Sequence, residues 1–215
     1  MRNKRGVILI TTGLLLIAAA LGLTAYNIWD EFRVTEAADE VAHQLLNQID
    51  TITQKAAEHE VETAIIELPI HVQNPQMEMP IEHINGWDYI GVLEIPAYDL
   101  TLPIISQWSY PALKVSPARY DGSVYTDDLI ISAHNYNSHF GNLKNLVEGD
   151  EIKFTDMSGN VFFYEVVLRE TLMPTAVAEM KSGGWDLTLF TCTLGGQYRV
   201  TIRCERVEND IHEQY

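Results

Sequence analysis

The chain opens with "MRNKR" and then runs from Gly6 to Trp29 without a charged residue. An apolar run of about 20 residues is what the hydrocarbon core of a bilayer requires of a spanning helix. A buried helix of a soluble protein would keep a polar face, and none interrupts this run. A cleaved signal peptide also follows a basic start, and Ala18 to Ala20 offer small residues to a peptidase, but its apolar core is shorter. Length therefore favours an anchor at residues 1–27. Arg2, Lys4 and Arg5 would stay in the cytosol, which places everything after Tyr26 outside the cell.

The next segment, residues 28–67, has neither glycine nor proline, and Val41, Leu45, Ile49 and Ile52 recur at helical spacing between charges. It predicts a helical stalk. Pro69, Pro75 and Pro80 then mark residues 68–86 as a linker. His43, His59, His71 and His83 are scattered through both segments, neither of which shows chemistry, and they are not expected to be ligands. The whole chain of 215 residues carries a formal charge of -16, from 14 basic against 30 acidic residues. Such a balance argues against nucleic acid as a partner, because phosphate recognition needs a basic patch.

From Tyr89 onward the pattern changes. "YIGVLEIP", "LTLPII", "DLIISAH", "DEIKFTD", "NVFFYEVVLRE", "DLTLFTC" and "YRVTIRCERV" are short runs of β-branched and aromatic residues separated by Pro, Gly, Asn and Asp. Seven or eight strands with no long helix between them predict an all-β domain over residues 87–215, as a closed barrel or a sandwich.

The only two cysteines, Cys192 and Cys204, fall in the last two of these strands. If the strands form a hairpin around residues 193–198, Cys192 lies opposite Arg199 and Cys204 stands five residues further on, about 16 Å away. A disulfide needs Cα atoms within about 7 Å, so a staple is disfavoured. Cys204 shares a strand face with Val200 and Ile202, the place of a small core residue. Cys192 sits at a strand end beside a fixed cation. A nucleophilic thiol needs a base or charged partner. The candidate is His134, delivered by the apolar strand Leu129 to Ser132 to the mouth of a polar loop, with His139 as its rival in that loop. Arg199 could hold an oxyanion or orient a carbonyl. Metal binding by His134 and His139 is a weaker reading, since no further ligands accompany the two imidazoles.

These residues carry a family resemblance. "LTLFTCT" with "YRVTIRCERV" after it resembles the sortase pattern, a Thr-Leu-x-Thr-Cys strand and then, past a short loop, an essential arginine. "IISAHN" is similar to the strand that delivers the sortase histidine, "FGNLKNLVEGDEIKFTD" to the segment after that strand, and "YIGVLEIPAYDLTLPI" to the first hairpin of that barrel. The resemblance spans about 120 residues, and the anchor and stalk fit it. It implies a closed β-barrel and a membrane-anchored cysteine transpeptidase. In that chemistry Cys192 attacks the carbonyl of a sorting motif to form a thioester, His134 serves as acid and then base, and Arg199 holds the carbonyl or oxyanion. Thr191 either contacts the substrate or is an ordinary strand threonine. The implied partners are secreted surface proteins or pilins bearing a sorting signal, with a peptidoglycan precursor or a pilin amine as acceptor. No metal or organic cofactor is implied. "SAHN" is nearest the His-Asn of class B, "TLMPTAVAEMKSGGW" is too short for the long helix of that class, and no Asp-Pro-aromatic lid motif precedes Tyr89. The resemblance therefore points to a class B or B-like enzyme.

Other functions fit less well. A papain-like peptidase would place its cysteine before its histidine, and an L,D-transpeptidase would show a Ser-x-Gly-Cys segment. A peptide-binding module without catalysis is the remaining alternative.

Overall fold

The computed structural model describes residues 4–62 and 68–208. The basic tip at Arg2, the end of the stalk at 63–67 and the tail at 209–215 lie outside the described residues, as do the side chains at 4, 5, 31 and 57–62.

Helix α1 spans Lys4–Glu62, 59 residues, about 90 Å at 1.5 Å per residue. Nothing breaks it, since no glycine falls between Gly22 and Glu62 and no proline precedes Pro69, so it runs straight through the boundary expected between residues 27 and 28. Its two halves meet different surroundings. Leu9 and Leu15 are about 70% exposed (73% and 70%), whereas Val34, Ala38, Val41, Ala42, Leu45 and Ile49 form a buried stripe at helical spacing. The segment expected to be a stalk is therefore docked along this stripe. Val41, Leu45 and Ile49 pack against Tyr89, Val92 and Ile105 of the sheet. Fully burying a side chain such as Leu45 contributes about 1.5–3 kcal/mol.

After the short helix α2 (Ile70–Gln73) come β1 (Glu82–Ile84), β2 (Trp87–Ile95), β3 (Leu100–Ile105), α3 (Tyr110–Leu113), β4 (Ala118–Asp121), β5 (Leu129–Ser132), β6 (Glu151–Asp156), β7 (Val161–Leu172), α4 (Val177–Lys181), β8 (Leu187–Cys192) and β9 (Arg199–Val207). The strands take the order β1-β2-β3-β4-β5-β8-β9-β7-β6, and β2 pairs with β6 to close β2 through β9 into an eight-stranded barrel. The expected closed barrel is thus the fold. β3–β4 and β5–β8 are parallel, and the other pairs are antiparallel.

Two sequence details explain local geometry. Asn85 and Gly86 both take positive φ, 52° and 84°, which is the backbone a two-residue hairpin turn between β1 and β2 demands. Part of the expected 68–86 linker therefore belongs to the sheet, and Met79 is buried in the barrel core. In β2 the register shifts between Tyr89 and Gly91, and a Cβ at Gly91 would lie 2.2 Å from the Thr155 carbonyl. Only glycine lets β2 approach β6 that closely and complete the ring.

The barrel interior holds Ile90, Leu93, Ile104, Leu129, Ile131, Phe154, Leu189, Ile202 and Cys204. The β6–β7 turn is secured by Asp156, whose buried carboxylate accepts hydrogen bonds from the Tyr125 hydroxyl (2.6 Å), the Asn160 side-chain amide (2.7 Å) and the Ser158 backbone N–H (2.8 Å). Several donors around one buried carboxylate offset its desolvation.

Candidate active site

All four residues of β5 are buried, and the chain leaves the barrel at Ala133 to enter a polar loop at His134. β8 runs parallel alongside, with Ser132 opposite Phe190. Beyond the last pair the Ala133 N–H donates to the Phe190 carbonyl (3.2 Å), and the Thr191 hydroxyl donates to the Ala133 carbonyl (2.8 Å). Two residues past Ser132 and Phe190, on the same strand faces, come His134 and Cys192. Thr191, 3% exposed, points the other way and ties the two strand ends together.

β9 completes the group. Cys192 pairs with Arg199 in the β8–β9 register, as the hairpin reading requires. The intervening turn is closed by Thr193 N–H to Tyr198 carbonyl (2.9 Å) and Gly196 N–H to Thr193 carbonyl (2.8 Å). Arg199 Nη1 donates to the carbonyls of Gly196 (3.1 Å) and Tyr198 (3.2 Å). These bonds hold the guanidinium at the rim of the site, where part of its five-donor fork can meet a ligand oxygen.

Cys192, His134 and Arg199 line one cleft of about 250 Å³. All three are partly exposed, and both cysteines are free thiols. The His134 imidazole is held below its ordinary pKa, first by burial and then by the positive charge of Lys114. Both effects disfavour a second proton on the ring. The burial of Cys204 inside the barrel pushes its thiol far above the usual range, which leaves it inert.

One wall of the cleft is aromatic. Trp108 meets Tyr110 and Tyr120 edge-on, at 5.1 and 5.9 Å between ring centroids, and Tyr120 meets Phe190 at 5.2 Å. The adjoining wall is α4, whose Met180 packs with Phe190, with Met173 and Pro174 before it. Among the described residues no carboxylate lines the cleft, despite the 30 acidic residues of the chain. It suits an extended, largely apolar peptide.

Two features are not legible in the sequence. Arg203 shares the strand face of Arg199, and it is 2% exposed. Its Nε donates to Glu170 (2.8 Å), Nη1 to the Met180 carbonyl (2.8 Å) and the Thr188 hydroxyl (3.0 Å), and Nη2 to the Glu179 carbonyl (2.8 Å). The guanidinium thereby clamps α4, the cleft wall, onto the barrel. The clue in the sequence is the strict two-residue alternation of β9, but the covering helix is five residues long and carries no periodicity to read. His139, the rival histidine, is fully buried. Neither ring nitrogen has a hydrogen-bond partner among the described residues, and burial, then the charge of His134, pushes its pKa down to about 4. It is a neutral packing residue beneath the loop, and its neighbour across the loop is the Tyr136 ring at 5.6 Å.

Among solved structures the fold is similar to sortase A from Corynebacterium diphtheriae, at 22% identity with a TM-score of 0.54, covering 77% of this chain and 86% of that one. It is also similar to sortase C1 from Streptococcus suis, at 25% identity with a TM-score of 0.50 over 58% of this chain and 76% of that one. A third likeness is to the pilus-related sortase C of Group B Streptococcus, at 20% identity with a TM-score of 0.51 over 81% and 95%. No curated protein matches the chain by sequence. Residues 93–207, more than half of the chain, match the model of the sortase domain.

Proposed function

This chain belongs to the sortase family of cysteine transpeptidases, and on that premise we propose that Cys192 is its nucleophile, His134 its acid and base, and Arg199 the group that holds the substrate carbonyl. The observation that carries this reading is the convergence of these three side chains on one cleft, from the ends of two parallel strands and the strand opposite.

The reaction is built on that arrangement. The Cys192 thiol passes its proton to His134, the freed Sγ attacks the scissile carbonyl of a sorting motif, the Sγ–C bond forms, and negative charge develops on the carbonyl oxygen within reach of the Arg199 fork. The C–N bond then breaks as His134 gives its proton to the leaving amine, leaving a thioester. An incoming amine attacks the thioester, the N–C bond forms, its proton passes to His134, and the C–S bond breaks to return the Cys192 thiolate. Thr191 is a positioning residue, because its hydroxyl holds the strand end that presents His134.

The substrates of this reading are secreted surface proteins or pilins with a sorting signal, and the acceptor is an amine of a peptidoglycan precursor or of a pilin. Support for anchoring at 1–27 comes from the exposed apolar half of α1, within a helix long and apolar enough to cross a membrane. The basic tip then places the N-terminus in the cytosol and the catalytic domain, residues 87–215, outside. The test is a ligation assay with the full chain in detergent, a library of candidate sorting peptides and a labelled amine. Wild type is expected to ligate, while Cys192→Ala and His134→Ala are not; ligation by folded Cys192→Ala would remove the nucleophile from the account.

A further inference from the structure

Cys192 borders two clefts. The first is the aromatic-walled one described above. The second, of about 460 Å³, opens on the other side of the strand end, and it shares Thr191 and Cys192 with the first. Its lining is of different chemistry. Asn135, Asn137 and Thr193 supply polar groups, Lys144 supplies a positive charge, and none of the described lining residues brings a carboxylate.

Lys144 is fixed in place through its backbone. It lies in the 3-10 turn Leu143–Asn145, and its carbonyl accepts a hydrogen bond from Arg169 Nη1. Its ammonium forms no ion pair among the described residues, although the chain is strongly acidic. A cation in a cleft free of carboxylates is a place for an anion.

The acyl part of the donor stays bound while the thioester waits, so an acceptor amine reaches the thioester from outside the acyl cleft, and the walls of the two clefts differ in the way the two substrates differ. The apolar cleft fits the acyl donor. We propose that the Lys144 cleft receives the acceptor, and that it selects amines carried on a peptide that also bears a carboxylate, rather than an isolated lysine side chain of a folded protein. The carboxylate pairs with the Lys144 ammonium, which holds the neutral amine of the same peptide toward the thioester. In the transfer the amine nitrogen bonds to the thioester carbonyl carbon, the C–S bond breaks, the nitrogen's proton goes to His134 and Cys192 leaves as thiolate. This inference rests on the transpeptidase reading above.

The experiment uses the full chain in detergent with a donor peptide that forms a Cys192 adduct. Three acceptors compete with water: a short glycine peptide with a free C-terminal carboxylate, the same peptide as its C-terminal amide, and Nα-acetyl-lysine amide. The readout is the partition of the thioester between ligation and hydrolysis. Wild type is expected to favour the carboxylate peptide about fivefold over both others, the upper range for an exposed ion pair. Lys144→Gln is expected to erase that preference and Lys144→Arg to retain it. Equal use of peptide and amide by wild type, a preference for the lysine derivative, or a carboxylate preference that survives in Lys144→Gln would each overturn the proposal. Failure of wild type to form any adduct with a broad donor library would instead overturn the underlying function, and mass analysis of the loaded protein separates that failure from the others.

Discussion

Cys192 and Cys204 occupy opposite ends of one strand pair. Cys192 stands opposite Arg199 at the mouth, and Cys204 stands opposite Leu187 at the far end. Five residues of β9 separate the two levels, so the two thiols also fall on opposite faces of the sheet. One face looks into a cleft with an imidazole and a guanidinium; the other looks into the barrel among Leu187, Leu189 and Ile202. On the proposed reading the same side chain is a reagent at one end and a packing group at the other. Register parity makes that difference, and neither composition nor local sequence does.

The comparison breaks most visibly at the mouth. Cys192→Ala is expected to lower kcat/KM by at least about 10³-fold, as loss of a nucleophile does, while the melting temperature stays within a degree or two of wild type. A large loss of stability would mean that Cys192 packs as Cys204 does. Next in size is the arginine pair on the same face. With Arg199 as the proposed oxyanion donor, Arg199→Ala is expected to cost about 10²–10³ in kcat, with the fold intact. Arg203→Ala should instead show itself in stability, by about 3 kcal/mol, because it leaves Glu170 and the α4 carbonyls without their buried partner. Its effect on turnover is expected in KM, through the loosened cleft wall, and denaturant melts with steady-state kinetics distinguish the two arginines. A kcat loss in Arg203→Ala equal to that of Arg199→Ala would show that the face, and not the position along it, sets the role.

At the interior end, Cys204→Ser puts a hydroxyl among aliphatic side chains and is expected to lose about 1–3 kcal/mol, with the turnover of the folded fraction unchanged. The most gradual effect is one of pH. His139 binds a proton in the unfolded chain at about 6.5 but in the fold only at about 4. The unfolded chain is thus the better proton acceptor, so stability is complete above the ordinary histidine pKa and falls as pH drops from about 6.5 to about 4. His139→Phe is expected to make that fall shallower, as measured by melting temperature against pH; an unchanged slope would place the linked proton elsewhere.

How much of the molecule is readable in its sequence differs by region for physical reasons. The β8–β9 register, and with it the Cys192–Arg199 pairing, comes from a short Gly-Gly loop and the period of two, both local. His134 is legible because an apolar strand ending in a polar loop is a local pattern too. The docking of α1 is half legible: its stripe of Val41, Leu45 and Ile49 announces a buried face, but the partner surface on β2 and β3 is some 40 residues away and exists only once the barrel forms. The Arg203 clamp and the burial of His139 depend on short covering segments whose positions are set by tertiary packing. Class, sorting peptide and acceptor lie still further from local pattern, in cleft walls drawn from several loops.

The most direct test of the central claim asks which sulfur carries the acyl group. The full chain is incubated in detergent with the donor library without amine, digested at low pH and mapped by mass spectrometry. The account expects a hydroxylamine-labile acyl adduct on Cys192 and none on Cys204, lost in Cys192→Ala. An adduct on Cys204, equal labelling of the two thiols in the folded protein, or an unmodified Cys192 in a protein that nevertheless ligates would contradict it.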